Sequence, residues 1–256
     1  LTGARLAFLA VPGIGLVEAG QDVARLILDS MATTGELLQA GDVIVIAQKI
    51  VSKAEGRVVV LDDVRPGALA AALGAEVEKD ARLVELILQE SRRVVAKRPG
   101  VLIVEHHLGF VMANAGIDQS NATPEGQPAR AILLPKVPDE SAAQIREGLR
   151  EAAGVEVGVI ISDSFGRAWR RGTVGIAIGV AGLPALCDLR GEPDLYGRPL
   201  EVSITGFADE VAAGASLVMG QGGEGLPVVI ARGLNIDGPH QTAADIVRPA
   251  QEDLFR

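Results

Sequence analysis

Two aspartates in this chain stand where a carboxylate can do chemistry. Asp163 lies in Ser162-Asp163-Ser164-Phe165-Gly166-Arg167-Ala168-Trp169-Arg170-Arg171-Gly172, just past a long apolar run and flanked by hydroxyls. Carboxylate plus hydroxyl is a hard-oxygen set, suited to Mg²⁺ or Mn²⁺ rather than zinc. Arg167, Arg170 and Arg171 follow within five positions. Guanidinium forks grip phosphate or carboxylate through paired hydrogen bonds. The same segment also reads as a solvated loop with surface charges. Asp118 sits in Gly116-Ile117-Asp118-Gln119-Ser120-Asn121, within the turn-rich stretch 114–128. Loops of that length in a compact domain tend to carry function. Its carboxylate can reach a metal ion, or it can make an Asx turn with the backbone two residues on. Asn121 adds an amide that both donates and accepts.

Other features carry weaker signals. Met219-Gly220-Gln221-Gly222-Gly223-Glu224-Gly225 invites a phosphate-loop reading, but it follows a helix instead of preceding one and has no Gly-Lys-Ser/Thr ending. A helix C-terminus is its negative end, so this is not a Walker motif. Close backbone approach to a nucleotide, a metal ligand from Gln221, or a plain helix cap and turn all remain open. Lys49 and Lys53 follow an apolar strand and could meet phosphate oxygens. His106 and His107 are adjacent, so on a strand they point to opposite faces and read as structural. Neither a Cys/His zinc cluster nor a Gly-x-Ser-x-Gly elbow is present.

Composition bounds the class. The chain has 256 residues, 48% hydrophobic and only 3% aromatic, enough for a large aliphatic core. A net charge of −9 argues against a nucleic-acid binder. The lone Cys187 cannot form an internal disulfide, which fits a reducing cytoplasm, and it reads as a small buried hydrophobe. The apolar opening Leu1–Leu16 is broken by Arg5, Pro12 and glycines, so no signal peptide is expected. No membrane span is expected either, since no uninterrupted apolar run reaches about 18 residues.

The elements that must position these groups follow from periodicity. Strands are expected at 5–11, 43–46, 101–105, 109–113, 131–134, 155–161, 173–180, 200–205 and 228–231. Helices are expected at 21–36, at 80–95, from a capping box at Ser141–Gln144 to Gly154, and along the stripe Ala208, Val211, Ala212, Ala215, Val218 and Met219. Helices and strands interleave irregularly, which favours α+β or mixed α/β over a simple doubly wound sheet.

Six segments in order resemble one family. They are Pro12-Gly13-Ile14-Gly15-Leu16, Ser52-Lys53-Ala54-Glu55-Gly56-Arg57, Asn114 to Asn121, Asp163 to Arg167 with Arg170-Arg171-Gly172, Asp194-Leu195-Tyr196-Gly197-Arg198, and Met219 to Gly225. The family is that of the coenzyme F420:L-glutamate ligases, which add glutamate to a deazaflavin coenzyme. The resemblance implies an α+β fold of two closely packed mixed α/β lobes in an intertwined homodimer. It implies one catalytic unit over 1–256, without the flavin-binding domain that actinobacterial relatives append. The implied activity is cytoplasmic and GTP-dependent. L-glutamate is joined to F420-0 and the γ-glutamyl tail is extended, through an acyl phosphate, with two divalent sites (Mg²⁺ or Mn²⁺) and K⁺. By position, Asp118 and Asp163 would hold the first metal, and Ser164 and Gln221 the second. Ile14, Gly15, Leu16, Val17, Gln48, Lys49, Lys53, Asn121 and the loop Met219, Gly220, Gln221, Gly222, Gly223, Glu224, Gly225, Leu226 would contact GTP. Arg167, Arg170 and Arg171 are candidates for gripping the substrate's phosphodiester, its carboxylates or the departing phosphate. Archaeal members carry Glu where this chain has Gln221, and small hydroxyl residues where it has Gln48 and Lys49. Two rival expectations are a γ-glutamyl ligase acting on another carboxylate, such as a folate-like compound or a variant deazaflavin, and a nucleotide-binding regulator without catalysis.

Overall fold

Uncharged β-branched runs build the centre of the molecule. A computed structural model describes residues 5–254; the first four residues of the apolar opening lie outside that range. In chain order the strands are β1 (Ala7–Ala10), β2 (Val43–Ala47), β3 (Val58–Val60), β4 (Ser91–Arg98), β5 (Val101–His106), β6 (Val111–Ala113), β7 (Arg130–Ile132), β8 (Gly158–Arg167), β9 (Arg170–Ala181), β10 (Cys187–Asp188), β11 (Ile204–Thr205) and β12 (Val228–Arg232). The α-helices are α1 (Val23–Thr34), α2 (Gln48–Ala54), α3 (Ala68–Glu76), α4 (Ala81–Gln89), α5 (Pro138–Ala153) and α6 (Phe207–Met219). The architecture is mixed α/β, in keeping with the α+β expectation.

The main sheet runs β1-β12-β2-β8-β9. Its pairs are antiparallel except β2–β8, which is parallel, with Val43 opposite Gly158 and Ala47 opposite Ser162. Strand alternation sends Ile44, Ile46, Val159, Ile161, Val228 and Ile230 to one face, where α1 and α5 cover them. Val43, Val45, Ile160, Val229 and Ala231 go to the other face, under Ala208, Val211, Ala212 and Ala215 of α6. Burial on both faces explains why these strands read as continuous apolar runs and not as alternating ones. Gly175 lets α6 approach: a Cβ there would sit 2.6 Å from the Ala212 carbonyl oxygen.

A second body of core joins α3 and α4 to the antiparallel sheet β4-β5-β6 through Leu73, Val84, Ile87, Leu102 and Val104. Ala115 and Ile117 are buried in the same cluster. The loop bearing Asp118 is therefore anchored to this cluster, whereas Asp163 belongs to the main sheet.

Several sequence expectations are corrected. The helix expected over 80–95 ends at Gln89, and residues 91–98 form β4. The turn Pro99-Gly100 folds β4 onto β5, with Arg98 opposite Val101, and this distant pairing overrides the helical spacing. Helix α5 begins at Pro138, preorganised for a first helical position, so Ser141 lies inside it and donates to Glu55 Oε1 at 2.5 Å instead of capping. The strand over 200–205 shrinks to Ile204–Thr205. Cys187 is only half-buried. Among the described residues, no helix is long and apolar enough to cross a membrane.

Candidate active site

The parallel register of β2 and β8 brings two groups out at one end of the sheet. Gln48 follows Ala47 directly, and Asp163 follows Ser162, its register partner. Asp163 does not stand beyond a strand, as its sequence suggested. It lies within β8, which continues to Arg167 through pairing with β9. The polar residues 162–167 look like a loop only when their partner strand is unknown.

Asp118 meets this end from the other side. Asn114, Ala115 and Gly116 all have positive φ, at 53°, 53° and 67°. Glycine suits position 116 because φ is positive there and because a Cβ would press on Met112 Cε at 2.6 Å and on the Leu134 methyl groups at 2.9 Å. Asp118 then forms a β-bridge with Ile132, its N–H donating to the Ile132 carbonyl at 3.0 Å. The Asx turn expected of this residue is present: Ser120 N–H donates to Asp118 Oδ1 at 2.7 Å, and Ser120 Oγ donates to Oδ2 at 2.9 Å. The carboxylate still faces a cavity of about 210 Å³, which Lys49, Asp118, Ser120, Asp163, Ser164 and Gln221 line.

The two carboxylates sit in opposite electrostatic states. Burial opposes the charge on Asp118, but Lys49 and Ser120 outweigh it and hold its pKa below the usual value. The Lys49 ammonium lies 2.7 Å from Asp118 Oδ2 and 2.6 Å from Ser120 Oγ. Asp163 is pushed up to about 6, first by burial and then by the Asp118 charge; the Ser164 N–H, Lys49 and the Gln48 amide do not offset this. Gln48 is buried at 1% exposure, and its Oε1 accepts from Ser52 Oγ at 2.8 Å. Its Nε2 faces Asp163 and weakly favours the charged carboxylate, but among the described residues it has no partner in good hydrogen-bond geometry. An orphaned buried donor beside an under-compensated carboxylate marks a site prepared for something else.

The glycine loop closes the cavity. Gly220 ends α6 with φ 73°. Gln221 Oε1 accepts from Ser164 Oγ at 2.9 Å, and Asn121 Nδ2 donates to the Gly222 carbonyl at 3.4 Å. Glu224 turns back to accept from the Gly222 N–H at 2.8 Å. Lys53, one helical turn after Lys49, donates to the Asn121 carbonyl at 2.9 Å. Burial and then the neighbouring Lys49 charge lower its pKa.

Thus Asp118, Asp163, Ser164, Gln221 and Lys49 line one cavity, with Gln48, Lys53, Asn121 and Gly222 in contact with its walls. Ile14 to Val17 are elsewhere. Their loop packs near the far end of α2, where Gly20 N–H donates to the Ala54 carbonyl at 2.7 Å. Leu16 is exposed and Val17 buried. Arg167, Arg170 and Arg171 stand exposed at the tip of the β8–β9 hairpin. Four residues of extended strand put Arg167 about 13 Å beyond Asp163. Ser120 was not singled out in the sequence, though Asp-x-Ser is the signature of the turn it makes. Across Phe165 lies a second cavity of about 200 Å³, where Phe110 and Phe165 meet edge to face at 6.0 Å.

Comparison with known proteins places this arrangement. The family described as F420-0:Gamma-glutamyl ligase matches residues 13–233, a span that includes every residue of the carboxylate cavity. A Methanopyrus kandleri protein named coenzyme F420:L-glutamate ligase is 46% identical over 245 residues, covering 94% of this chain and 93% of its own length. A protein of the same name from Methanothermobacter thermautotrophicus is 46% identical over 256 residues, covering 98% and 99%. One from Archaeoglobus fulgidus is 42% identical over 253 residues, covering 98% and 97%.

Proposed function

The chain belongs to the F420-0:gamma-glutamyl ligase family, and from that premise we propose that it joins L-glutamate to the deazaflavin coenzyme F420-0 at the expense of GTP. Near-full-length identity to proteins named for this ligation carries the reading. The cavity geometry supports it: an amide bond between two anions needs charge neutralised and reactants held in place.

The donor set fits a divalent cation. Asp118, Asp163, the Ser164 hydroxyl and the Gln221 amide oxygen are all hard oxygens. The raised pKa of Asp163 is negative charge that the protein itself leaves uncompensated. We therefore assign Asp118 and Asp163 to a first Mg²⁺ or Mn²⁺, and Ser164 and Gln221 to a second. Bound there, such ions would supply Lewis-acid neutralisation of the phosphate oxygens. The K⁺ requirement belongs to the same proposal.

The remaining steps fall to the chain's own groups. Lys49 and Lys53 share one face of α2 and would engage the triphosphate, with the loop 219–226 and Asn121 closing around it. The acceptor carboxylate attacks the γ-phosphorus, the bond to the β,γ-bridging oxygen breaks, and GDP leaves. The resulting acyl phosphate is attacked by the glutamate amine, which loses a proton as inorganic phosphate departs. Arg167, Arg170 and Arg171 would grip substrate anions. Their distance from their own cavity supports action within a homodimer, as do the exposed Leu195, Tyr196 and Val202. Incubating the protein with F420-0, GTP, glutamate and Mn²⁺ and weighing the products by mass spectrometry tests the reading. One or more added glutamyl residues are expected, with GDP formed in equal amount. Unmodified F420-0, or a product formed on a folate-like acceptor instead, would overturn it.

A further inference from the structure

We propose that Lys49 is a built-in counter-ion for the carboxylate pair, released to the nucleotide's phosphates when a divalent cation binds, so that this one side chain couples the two ligands. The inference rests on the cation reading of the cavity given above.

Three observations carry it. First, both oxygens of Asp118 are engaged, and Oδ2 twice. Oδ1 takes the Ser120 N–H at 2.7 Å, and Oδ2 takes Ser120 Oγ at 2.9 Å and the Lys49 ammonium at 2.7 Å. A cation can take Oδ2 only if one of its two partners withdraws. The Ser120 contacts belong to a local turn. Lys49 reaches from another element on a flexible four-carbon stem, so it is the partner that can leave. Second, the pair is open to solvent. The side chains of Lys49 and Asp118 are 26% and 39% exposed, which gives Lys49 room to swing without disturbing the core. Third, Lys53 lies one helical turn away and is held by the Asn121 carbonyl, with no carboxylate partner among the described residues. Once free of Asp118, Lys49 would stand beside it, and two ammonium groups on one helix face suit a polyphosphate.

The thermodynamic consequence is coupling. An ammonium seated on the ligand oxygen opposes a second cation there, so the metal alone binds weakly. A nucleotide that draws Lys49 away removes this opposition. By linkage, the metal must then strengthen nucleotide binding by the same factor.

Binding of Mn²⁺ alone, followed by the free-ion electron paramagnetic resonance signal and by calorimetry on chelator-treated protein, tests this without any turnover. Wild type, Lys49→Met and Lys49→Arg are compared with and without the β,γ-imido analogue of GTP. Lys49→Met should bind Mn²⁺ about tenfold or more tightly without nucleotide, about 1.4 kcal/mol, and lose most of the enhancement the analogue gives wild type. Lys49→Arg keeps the charge and should track wild type. Equal Mn²⁺ affinity in wild type and Lys49→Met, or an undiminished nucleotide enhancement in Lys49→Met, would overturn the coupling while leaving the metal site standing. Absence of Mn²⁺ binding in all three proteins would overturn the metal site itself, and the coupling with it. Should Lys49→Met fail to give a native circular dichroism melt, Lys49→Gln makes the same comparison.

Discussion

The parallel pair β2–β8 has a carboxylate at each end, and the two ends treat that charge differently. Before β2 lies Asp42, 1% exposed. Arg232 grips both its oxygens, Nε to Oδ1 and Nη2 to Oδ2, each at 2.8 Å, and the Gln39 N–H adds a third bond at 2.8 Å. The rest of the guanidinium is spent on Glu36 Oε1 at 2.7 Å and the Leu37 carbonyl at 2.9 Å. Asp42 first, then Glu36, raise the pKa of Arg232. At the opposite end, Asp163 is pushed up to about 6, and the buried Gln48 Nε2 has no partner in good hydrogen-bond geometry among the described residues. Where the fold completes the coordination of a charge, the charge is structural. Where it stops short, the incompleteness is room for a ligand. Ligands in α/β sheets tend to sit beyond the carboxyl ends of strands, which is the end left unfinished here.

The largest test of this contrast is to neutralise each end in turn. Asp163→Asn should lower kcat by about a thousandfold or more, some 4 kcal/mol of transition-state stabilisation. The variant should still fold, and at pH 8 it should melt above metal-free wild type because an unfavourable buried charge is gone. Near-normal turnover in saturating Mg²⁺ would remove Asp163 from the cation site. Asp42→Ala should do the reverse. Arg232 would keep Glu36 and the Leu37 carbonyl but lose both bonds to Asp42, at a cost of about 2–3 kcal/mol in urea unfolding, with kcat/KM nearly unchanged while the protein is folded. A variant that lost catalysis but not stability would erase the distinction between the two ends.

A smaller effect separates the ends by pH. The folded state binds the Asp163 proton more tightly than the unfolded chain, whose carboxyl titrates near 3.8. Its contribution to stability is therefore complete below about 4 and is lost as pH rises through about 6. For metal-free protein this amounts to on the order of 3 kcal/mol. Thermal melts of wild type minus Asp163→Asn should show the difference growing across that window. A flat difference would mean that the cavity solvates Asp163 as water does.

How much of this could be seen beforehand depended on whether the deciding contact was local. The runs at 43–46 and 228–231, the stripe of α6 and the stop at Gly154 were legible, because their own residues carry the period and the cap. The end of α4 was not. Ser91 onward obeys β5, a partner that periodicity cannot see, although Pro99-Gly100 announced the turn between them. Helix α3, Ala68–Glu76, is apolar nearly all round and gives no stripe to detect. At the site, both aspartates stood out by type, but 45 residues separate them in the chain. Only the family resemblance joined them before the fold did. At Asp118 an Asx turn and a ligand role are compatible, since one carboxylate has lone pairs enough to make the turn and still face a cavity. The Lys49–Asp118 contact, from helix to loop across 69 positions, left no trace in spacing.

The finest test adds charge to the unfinished end instead of removing it. Gln221 offers the cavity a neutral amide oxygen, hydrogen-bonded to Ser164 Oγ at 2.9 Å. Gln221→Glu keeps an acceptor for that hydroxyl and brings a third carboxylate toward Asp118 and Asp163. If the amide oxygen faces a cation site, Mn²⁺ affinity should rise, by about tenfold or less because solvent screens an exposed group. Metal-free protein should become slightly less stable, since the new charge adds to the repulsion that already raises Asp163. The matching substitution at the finished end, Gln39→Glu, changes the net charge equally but lies beside the saturated Asp42–Arg232 pair, so it should leave Mn²⁺ binding as it was. Equal rises in both variants would reduce the effect to overall charge. A rise confined to Gln221→Glu would place the missing ligand at the C-terminal end of the parallel pair.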